Sequence, residues 1–245
     1  MSYSLVIIPT FNEKENIENI IRTVFGLSLP FDILIIDDGS PDGTASIVKR
    51  LQEEFIDRLF LLERPGKLGL GTAYITGFKW ALEREYLYIF EMDADFSHNP
   101  EDLPRLYEPC ASGKADMTIG SRYVSGVNVV NWPMSRVLMS YYASKYVRLV
   151  SGLKIADTTA GFVCYRREVL ETIDLDSIRF KGYAFQIEMK FTAHQCGFVI
   201  LEVPIVFVNR ELGESKMNTS IFGEGLFGVI QMKIGSWWKK YPKRG

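Results

Sequence analysis

The residues best able to do chemistry sit mid-chain, in Glu91-Met92-Asp93-Ala94-Asp95-Phe96-Ser97-His98. An apolar run, Tyr86-Leu87-Tyr88-Ile89-Phe90, leads into them and predicts a buried strand. Asp93 and Asp95 stand two apart, which in a continued strand puts both carboxylates on one face. Carboxylates that close repel unless a cation sits between them. Hard oxygen ligands suit Mg²⁺ or Mn²⁺, whose shells are completed by water and substrate phosphates. Asp-x-Asp alone is equally met by a solvated acidic turn, so the rest of the chain has to decide.

Other candidates gather at the ends of other apolar runs. Leu5 to Ile8, stopped by Pro9, predicts a buried strand followed by Thr10-Phe11-Asn12-Glu13. Phe31 to Ile36 predicts a second, ending in Asp37-Asp38-Gly39-Ser40-Pro41-Asp42-Gly43-Thr44, where Asp42 or Thr44 can cap a helix running to Glu54. Leu59 to Leu62 predicts a third, and Asp116 to Ile119 another that delivers Arg122. Helical spacing marks Glu15 to Phe25, Thr72 to Arg84, Met134 to Val150 and Tyr183 to Cys196. Alternating strands and helices imply βαβ units, right-handed crossovers and a mainly parallel sheet. Ligands of such sheets bind outside the carboxyl ends of the strands, where Glu13, Asp38, Asp93, Asp95 and Arg122 all fall. That convergence favours a metal and phosphate site over a solvated turn.

The rest of the chain reads more plainly. Gly126 to Asn131 predicts a loop. On the helix from Met134, packing accounts for an apolar side of Val137, Leu138, Tyr141 and Leu149, and the interspersed Arg136, Ser140, Lys145 and Arg148 leave room for anionic lipid or phosphate. Val199 to Leu201 and Pro204 to Val208 predict an edge segment bent at Glu202-Val203. His98 and His194 stand apart from any nucleophile and are read as structural or solvated. Residues 221–245 form an amphipathic tail ending Trp237-Trp238-Lys239-Lys240, rings and cations that suit a bilayer interface.

The 245 residues, 47% hydrophobic, fit one domain, 1–220, carrying that tail. A formal charge of −2 supplies no basic field for nucleic acid. The odd, scattered Cys110, Cys164 and Cys196 match neither zinc nor disulfide spacing, and a reducing cytosol is their simplest setting. No signal peptide is expected from the N-terminal residues, and no apolar run approaches the roughly 18 residues of a membrane span.

Seven blocks in order carry a resemblance: Pro9-Thr10-Phe11-Asn12-Glu13, Asp37 to Thr44, Leu68 to Tyr74, Asp93-Ala94-Asp95, Gly120-Ser121-Arg122-Tyr123, Lys181-Gly182-Tyr183 and Gly213-Glu214-Ser215-Lys216. Together they resemble the dolichol-phosphate (polyprenol-phosphate) mannosyltransferases, inverting family-two glycosyltransferases of GT-A fold. The fold so implied is α/β, a Rossmann-like, mostly parallel sheet flanked by helices, with the amphipathic helix at the C-terminus. The resemblance implies that Pro9, Phe11, Glu13, Ile36 and Asp38 hold the nucleoside of GDP-mannose. It implies that Asp93, Ala94 and Asp95 bind the diphosphate through Mg²⁺ or Mn²⁺, with Ser97 or water completing the shell. Arg122, Arg210 and Lys216 would neutralise donor or lipid phosphate, and Arg122, Arg136, Ser140 and Arg210 would meet the polyprenyl phosphate acceptor. Asp93, Asp95 and Arg122 would then be the catalytic set, with residues 210–216 gating water. Phe11 stands where relatives often have tyrosine, and Ser97 where some have glutamine. The implied setting is peripheral, on the cytoplasmic face of a membrane, with room for a membrane-protein partner subunit. A UDP-glucose or UDP-N-acetylhexosamine donor, a sugar-1-phosphate nucleotidyltransferase and a non-catalytic nucleotide-binding module are the alternatives the residues leave open.

Overall fold

A computed structural model describes residues 2–209 and 220–243 of the chain. Its first strand, β1 (Ser4–Thr10), sends Leu5 and Ile7 into one core and Val6 and Ile8 into another, the alternation of a strand buried on both faces. Helix α1 (Ile17–Phe25) buries Ile17, Ile20, Ile21 and Val24, one stripe at helical spacing. Then come β2 (Asp32–Asp37), α2 (Thr44–Gln52), β3 (Leu59–Glu63), α3 (Leu70–Leu82) and β4 (Tyr88–Glu91). The order continues α4 (Leu103–Ala111), β5 (Met117–Ser121), β6 (Val129–Val130), α5 (Met134–Ser151), β7 (Val163–Arg166) and α6 (Arg167–Thr172). It closes with α7 (Tyr183–Cys196), β8 (Ile200–Pro204), β9 (Phe207–Val208) and α8 (Ser220–Gly235).

Seven strands form one sheet in the order β3-β2-β1-β4-β7-β5-β8. All pairings are parallel except those of β7, which runs antiparallel to β4 and β5. The core on one face takes residues from α1, α2 and α4, and the other takes them from α3, α5, α6, α7 and α8. This is the expected mostly parallel α/β sandwich. The reversal of β7 has a direct consequence: its entering loop, residues 157–161, lies at the same edge as the carboxyl ends of the parallel strands.

Three expectations change. The stretch from Gly126 to Asn131 contains β6, which pairs in parallel with β9 as a separate two-stranded sheet. The edge segment does not bend at Glu202-Val203; β8 runs through both, paired with β5, and the chain breaks after Pro204. The predicted apolar side of α5 is not packed inward. Leu138 is 47% and Leu149 86% exposed, and the helix meets the core along the smaller Ser144, Val147 and Ser151. In α8, Val229 is buried, but Ile230 and Ile234 and the following Trp237 are exposed. Helices α5 and α8 pack on each other, so their outward apolar residues share one side of the molecule.

Candidate active site

Pairing with β1 ends at Ile7 opposite Glu91, and only the Met92 N–H still reaches back, to the Ile7 carbonyl at 3.2 Å. Asp93 and Asp95 therefore lie in a turn beyond the strand, which corrects the expectation that one strand face presents both. The turn is tightly specified. Phe96 takes φ +58°, a left-handed conformation costing a non-glycine residue about 1–2 kcal/mol. The Ser97 N–H donates to Asp95 Oδ1 at 3.0 Å, and the Asp93 N–H donates to His98 Nδ1 at 3.2 Å. Asp95, Ser97 and His98 are buried, while the Asp93 side chain is 39% exposed. The His98 ring stacks on Phe162, centroids 5.0 Å apart, and meets Phe207 edge-on at 5.5 Å. Burial drives its pKa down to about 4, overcoming the upward pull of Asp95, so the imidazole is neutral at ordinary pH.

The adjacent Asp37 and Asp38 have different duties. Asp37 is consumed by the turn: its carboxylate accepts from Thr10 Oγ1 (3.0 Å), the Ser40 N–H (2.8 Å) and Ser40 Oγ (2.6 Å). Asp38 pairs with Arg64 at 2.6 Å, and Arg64 also donates to Thr72 Oγ1 at 2.9 Å. Arg64 escaped sequence reasoning; its only signal was its place at the head of the glycine-rich loop. The β2–α2 loop also grips the β1–α1 loop. Ser40 Oγ, Thr44 Oγ1 and Asp42 Oδ2 accept the N–H groups of Asn12, Glu13 and Lys14 at 2.9–3.1 Å. Asn12 itself sits at φ +57°, a conformation its short amide side chain tolerates. Lys67 lies 5.4 Å from the centre of the Phe11 ring. Pro9 is half-buried, and Ile36 is fully buried beside Gly77, whose absent Cβ would fall 3.0 Å from Ile36 Cδ1. Ile36 thus supports the crevice from beneath.

Arg122 is placed at the same edge by β5. Its Nε–H and Nη2–H donate to Asp157 at 2.6 and 2.7 Å, and Nη2 also donates to Thr159 Oγ1 at 2.8 Å. Asp157 further accepts the Arg122 N–H at 3.0 Å. Burial pushes the Asp157 pKa up, but the attraction and hydrogen bonds of Arg122 win, and the carboxyl titrates below its ordinary value. Glu202 of β8 accepts the N–H groups of Ala156 and Asp157 at 2.7 and 3.0 Å, fixing the loop that holds the arginine. Asp157 and Thr159 gave no sequence signal, because only the reversal of β7 carries them to this edge, and Glu202 reaches the same loop from β8.

Asp93, His98 and Arg122 line a cavity of about 480 Å³ together with Met139, Tyr142, Tyr146 and Val147 of α5. Arg136 and Ser140 of α5 line it as well. Arg136 lies 4.0 Å from the Trp132 ring centre and donates to Asn209 Oδ1 at 3.0 Å. The Trp132 Nε1–H, buried in the wall, has no protein acceptor among the described residues. Asp95 lines a second, larger groove on the other side of the turn, beside Phe96, Asn99 and Asn128. Behind the turn, buried Lys190 donates to the Ala160 carbonyl at 2.6 Å and to Gln186 Oε1 at 3.1 Å, while Gln186 and Tyr165 donate to Glu91. Burial raises the Glu91 pKa and lowers that of Lys190, each shift opposed by the attraction between the two. Of the expected site residues, Arg210 and Lys216 lie outside the described residues; Glu13, with its carboxylate on Asn16, and Asp38 sit at the β1 and β2 ends.

The donor set fits a divalent ion that borrows ligands from a substrate. Among the described residues no group of three or more His, Cys, Asp and Glu side chains forms an ion cage. Two aspartates alone leave most of an octahedral shell to phosphate oxygens and water, which suits Mg²⁺ or Mn²⁺ rather than a thiolate- or imidazole-bound metal.

The mostly parallel sheet brings acidic residues and a buried arginine to its carboxyl edge, and residues 5–174 match glycosyl transferase family 2. The chain belongs to that family and is a glycosyltransferase. It is 48% identical to polyprenol monophosphomannose synthase of Mycolicibacterium smegmatis over 231 residues, 94% of this chain and 87% of that protein. It is 46% identical to undecaprenyl-phosphate mannosyltransferase of Micrococcus luteus over 235 residues, 96% of each. Among solved structures it is similar to the mannosyltransferase PcManGT from Pyrobaculum calidifontis, in complex with GDP-Man and Mn²⁺. The TM-score is 0.63 at 18% identity, covering 98% of this chain and 66% of that one, a likeness of fold. Among the described residues no helix is long and apolar enough to cross a membrane.

Proposed function

We propose that this enzyme transfers mannose from GDP-mannose to a polyprenyl phosphate, with inversion at the anomeric carbon. One observation carries the reading beyond the family: a single cavity is lined both by Asp93 and Arg122 and by apolar side chains of α5, as a phosphate bearing a long hydrocarbon tail requires. The relatives at 46% and 48% identity bear names for mannosyl transfer to a polyprenyl phosphate.

The roles are those the family motifs imply, set on this fold. Pro9, Phe11, Glu13 and Asp38 hold the nucleoside, with Arg64 fixing the Asp38 carboxylate. Asp93 and Asp95 hold the ion, with Ser97 or water in its shell. The bound Mg²⁺ or Mn²⁺ offsets the negative charge that grows on the departing diphosphate. Arg122, Arg136, Ser140 and the Trp132 N–H receive the acceptor phosphate. A phosphate monoester has its second pKa near about 6 and is largely dianionic at neutral pH. One of its oxygens forms the new bond to the anomeric carbon as the bond from that carbon to GDP breaks. Phosphate needs no base to make it nucleophilic, which agrees with His98 having its Nδ1 engaged by the Asp93 N–H. The exposed Leu138, Tyr142 and Leu149 of α5, with Trp237 and Trp238 beyond α8, rest the enzyme on the cytoplasmic face of the membrane that holds the lipid.

Incubation with radiolabelled GDP-mannose, Mn²⁺ and a polyprenyl phosphate tests this directly. Label should enter the lipid phase, and Asp95→Ala should abolish its transfer without unfolding the protein. No label in the lipid with wild-type enzyme and either metal would refute the reading. Stronger thermal stabilisation by UDP than by GDP, each with Mn²⁺, would refute the choice of donor.

A further inference from the structure

The acidic turn contains one side chain to which neither donor, acceptor nor metal gives work. His98 is 3% exposed, yet it lines the cavity beside Asp93. Its ring is held between two aromatic side chains from separate segments, nearly parallel to Phe162 just before β7 (15°) and nearly perpendicular to Phe207 of β9 (80°). The ring therefore cannot rotate without displacing one of them. Its Nδ1 accepts the Asp93 N–H, so that nitrogen carries no proton and the neutral ring bears its hydrogen on Nε2. The same Nδ1 lies 3.7 Å from Asp93 Oδ2. That separation is beyond hydrogen-bond reach, so the ring engages the Asp93 backbone and not its carboxylate.

We propose that His98 is the positioning residue for Asp93: by pinning the Asp93 backbone through Nδ1 it fixes where the carboxylate stands at the cavity, and so where the divalent ion is held. The proposal rests on Asp93 being an ion ligand, as in the proposed function. It explains why a residue with a left-handed backbone, Phe96, is tolerated two positions earlier. The turn must curl far enough to bring residue 98 back to the N–H of residue 93. Groups that orient ion ligands from behind typically contribute about 10–100-fold to metal affinity.

The test is titration calorimetry of Mn²⁺ into the protein with GDP present, alongside thermal unfolding with neither ligand. His98→Phe keeps the ring packed on Phe162 but removes the acceptor. It should weaken Mn²⁺ binding by about 10–100-fold. His98→Asn places an amide oxygen near the Nδ1 position and should restore most of the affinity. His98→Gln, whose amide reaches instead toward Nε2, should not, and the Asn–Gln contrast decides the matter if the phenylalanine variant does not fold. The Mn²⁺ concentration for half-maximal transfer should move in step with affinity, at nearly constant kcat. Affinity in His98→Phe equal to wild type, or His98→Asn no better than His98→Gln, would overturn this proposal alone. Wild-type protein that binds no Mn²⁺ in the presence of GDP would overturn the underlying donor reading, and this proposal with it.

Discussion

Asp157→Asn is the most informative single substitution. The Arg122 and Asp157 side chains are 10% and 0% exposed, and the carboxylate receives two guanidinium hydrogen bonds at 2.6 and 2.7 Å plus the Arg122 N–H. Asparagine keeps the shape but removes the charge and one accepting oxygen, leaving a buried guanidinium without its counter-ion. Breaking a buried pair in this way costs about 3–5 kcal/mol, which for a chain of this size lowers Tm by roughly 6–20 °C. The exposed pair Arg22–Glu54, with side chains 43% and 51% exposed, is the matched control, and Glu54→Gln should leave Tm unmoved. Thermal unfolding by circular dichroism reads both. The pH dependence adds an independent check. The folded pKa of Asp157 lies below its unfolded value, so the pair's stabilisation is complete above the unfolded value of about 3.9 and is lost as pH falls through the folded one. Wild type should therefore lose stability more steeply below about pH 4 than Asp157→Asn does. Transfer should fall as well, because Arg122 lines the cavity although Asp157 does not. A Tm within about 2 °C of wild type, or identical acid limbs in the two proteins, would refute the assignment of Asp157 as the anchor of Arg122.

Three further outcomes are expected. Gly71→Ala places a Cβ 2.8 Å from the Phe185 ring and 2.9 Å from the Phe180 carbonyl, so urea denaturation should show a loss of about 1–3 kcal/mol. Lys190→Met leaves Glu91 buried without its nearest cation and should cost about 3–5 kcal/mol, while the double variant with Glu91→Gln recovers part of that, a coupling visible in a double-mutant cycle. Leu138→Asp with Leu149→Asp, on the exposed side of α5, should abolish co-sedimentation with anionic vesicles yet spare transfer to a short, soluble prenyl phosphate.

The structure also separates parts of the site that the family motifs merge. Asp37 and Asp38 are neighbours in one motif, yet one builds a turn and the other engages Arg64. Asp93 and Asp95 are paired in another, yet Asp95 is buried while the partly exposed Asp93 lines the cavity it shares with Arg122. A substitution at Asp37 should therefore act through stability, and one at Asp38 through the nucleoside.

Much of the architecture was legible in the amino-acid sequence because it depends on local periodicity. The continuous burial of Leu5 to Ile8 follows from an unbroken apolar run, and the stripe of Ile17, Ile20, Ile21 and Val24 and the span Tyr183–Cys196 follow from which side chains recur on one face. The sheet rule then placed Glu13, Asp38, Asp93, Asp95 and Arg122 at one edge. Tertiary structure alone decided how those groups are held. Val163 to Arg166 reads as a strand in either direction, and only its antiparallel pairing with β4 and β5 brings Asp157 and Thr159 to Arg122. Leu138 and Leu149 have the composition of a packed stripe, but α5 meets the core along a narrower line and leaves them outside. Asp93-Ala94-Asp95 looks like the end of a strand until the pairing with β1 runs out at Glu91 and the chain curls onto His98. Local pattern records which face a residue prefers. Which partner waits on that face is set by contacts between segments tens of residues apart.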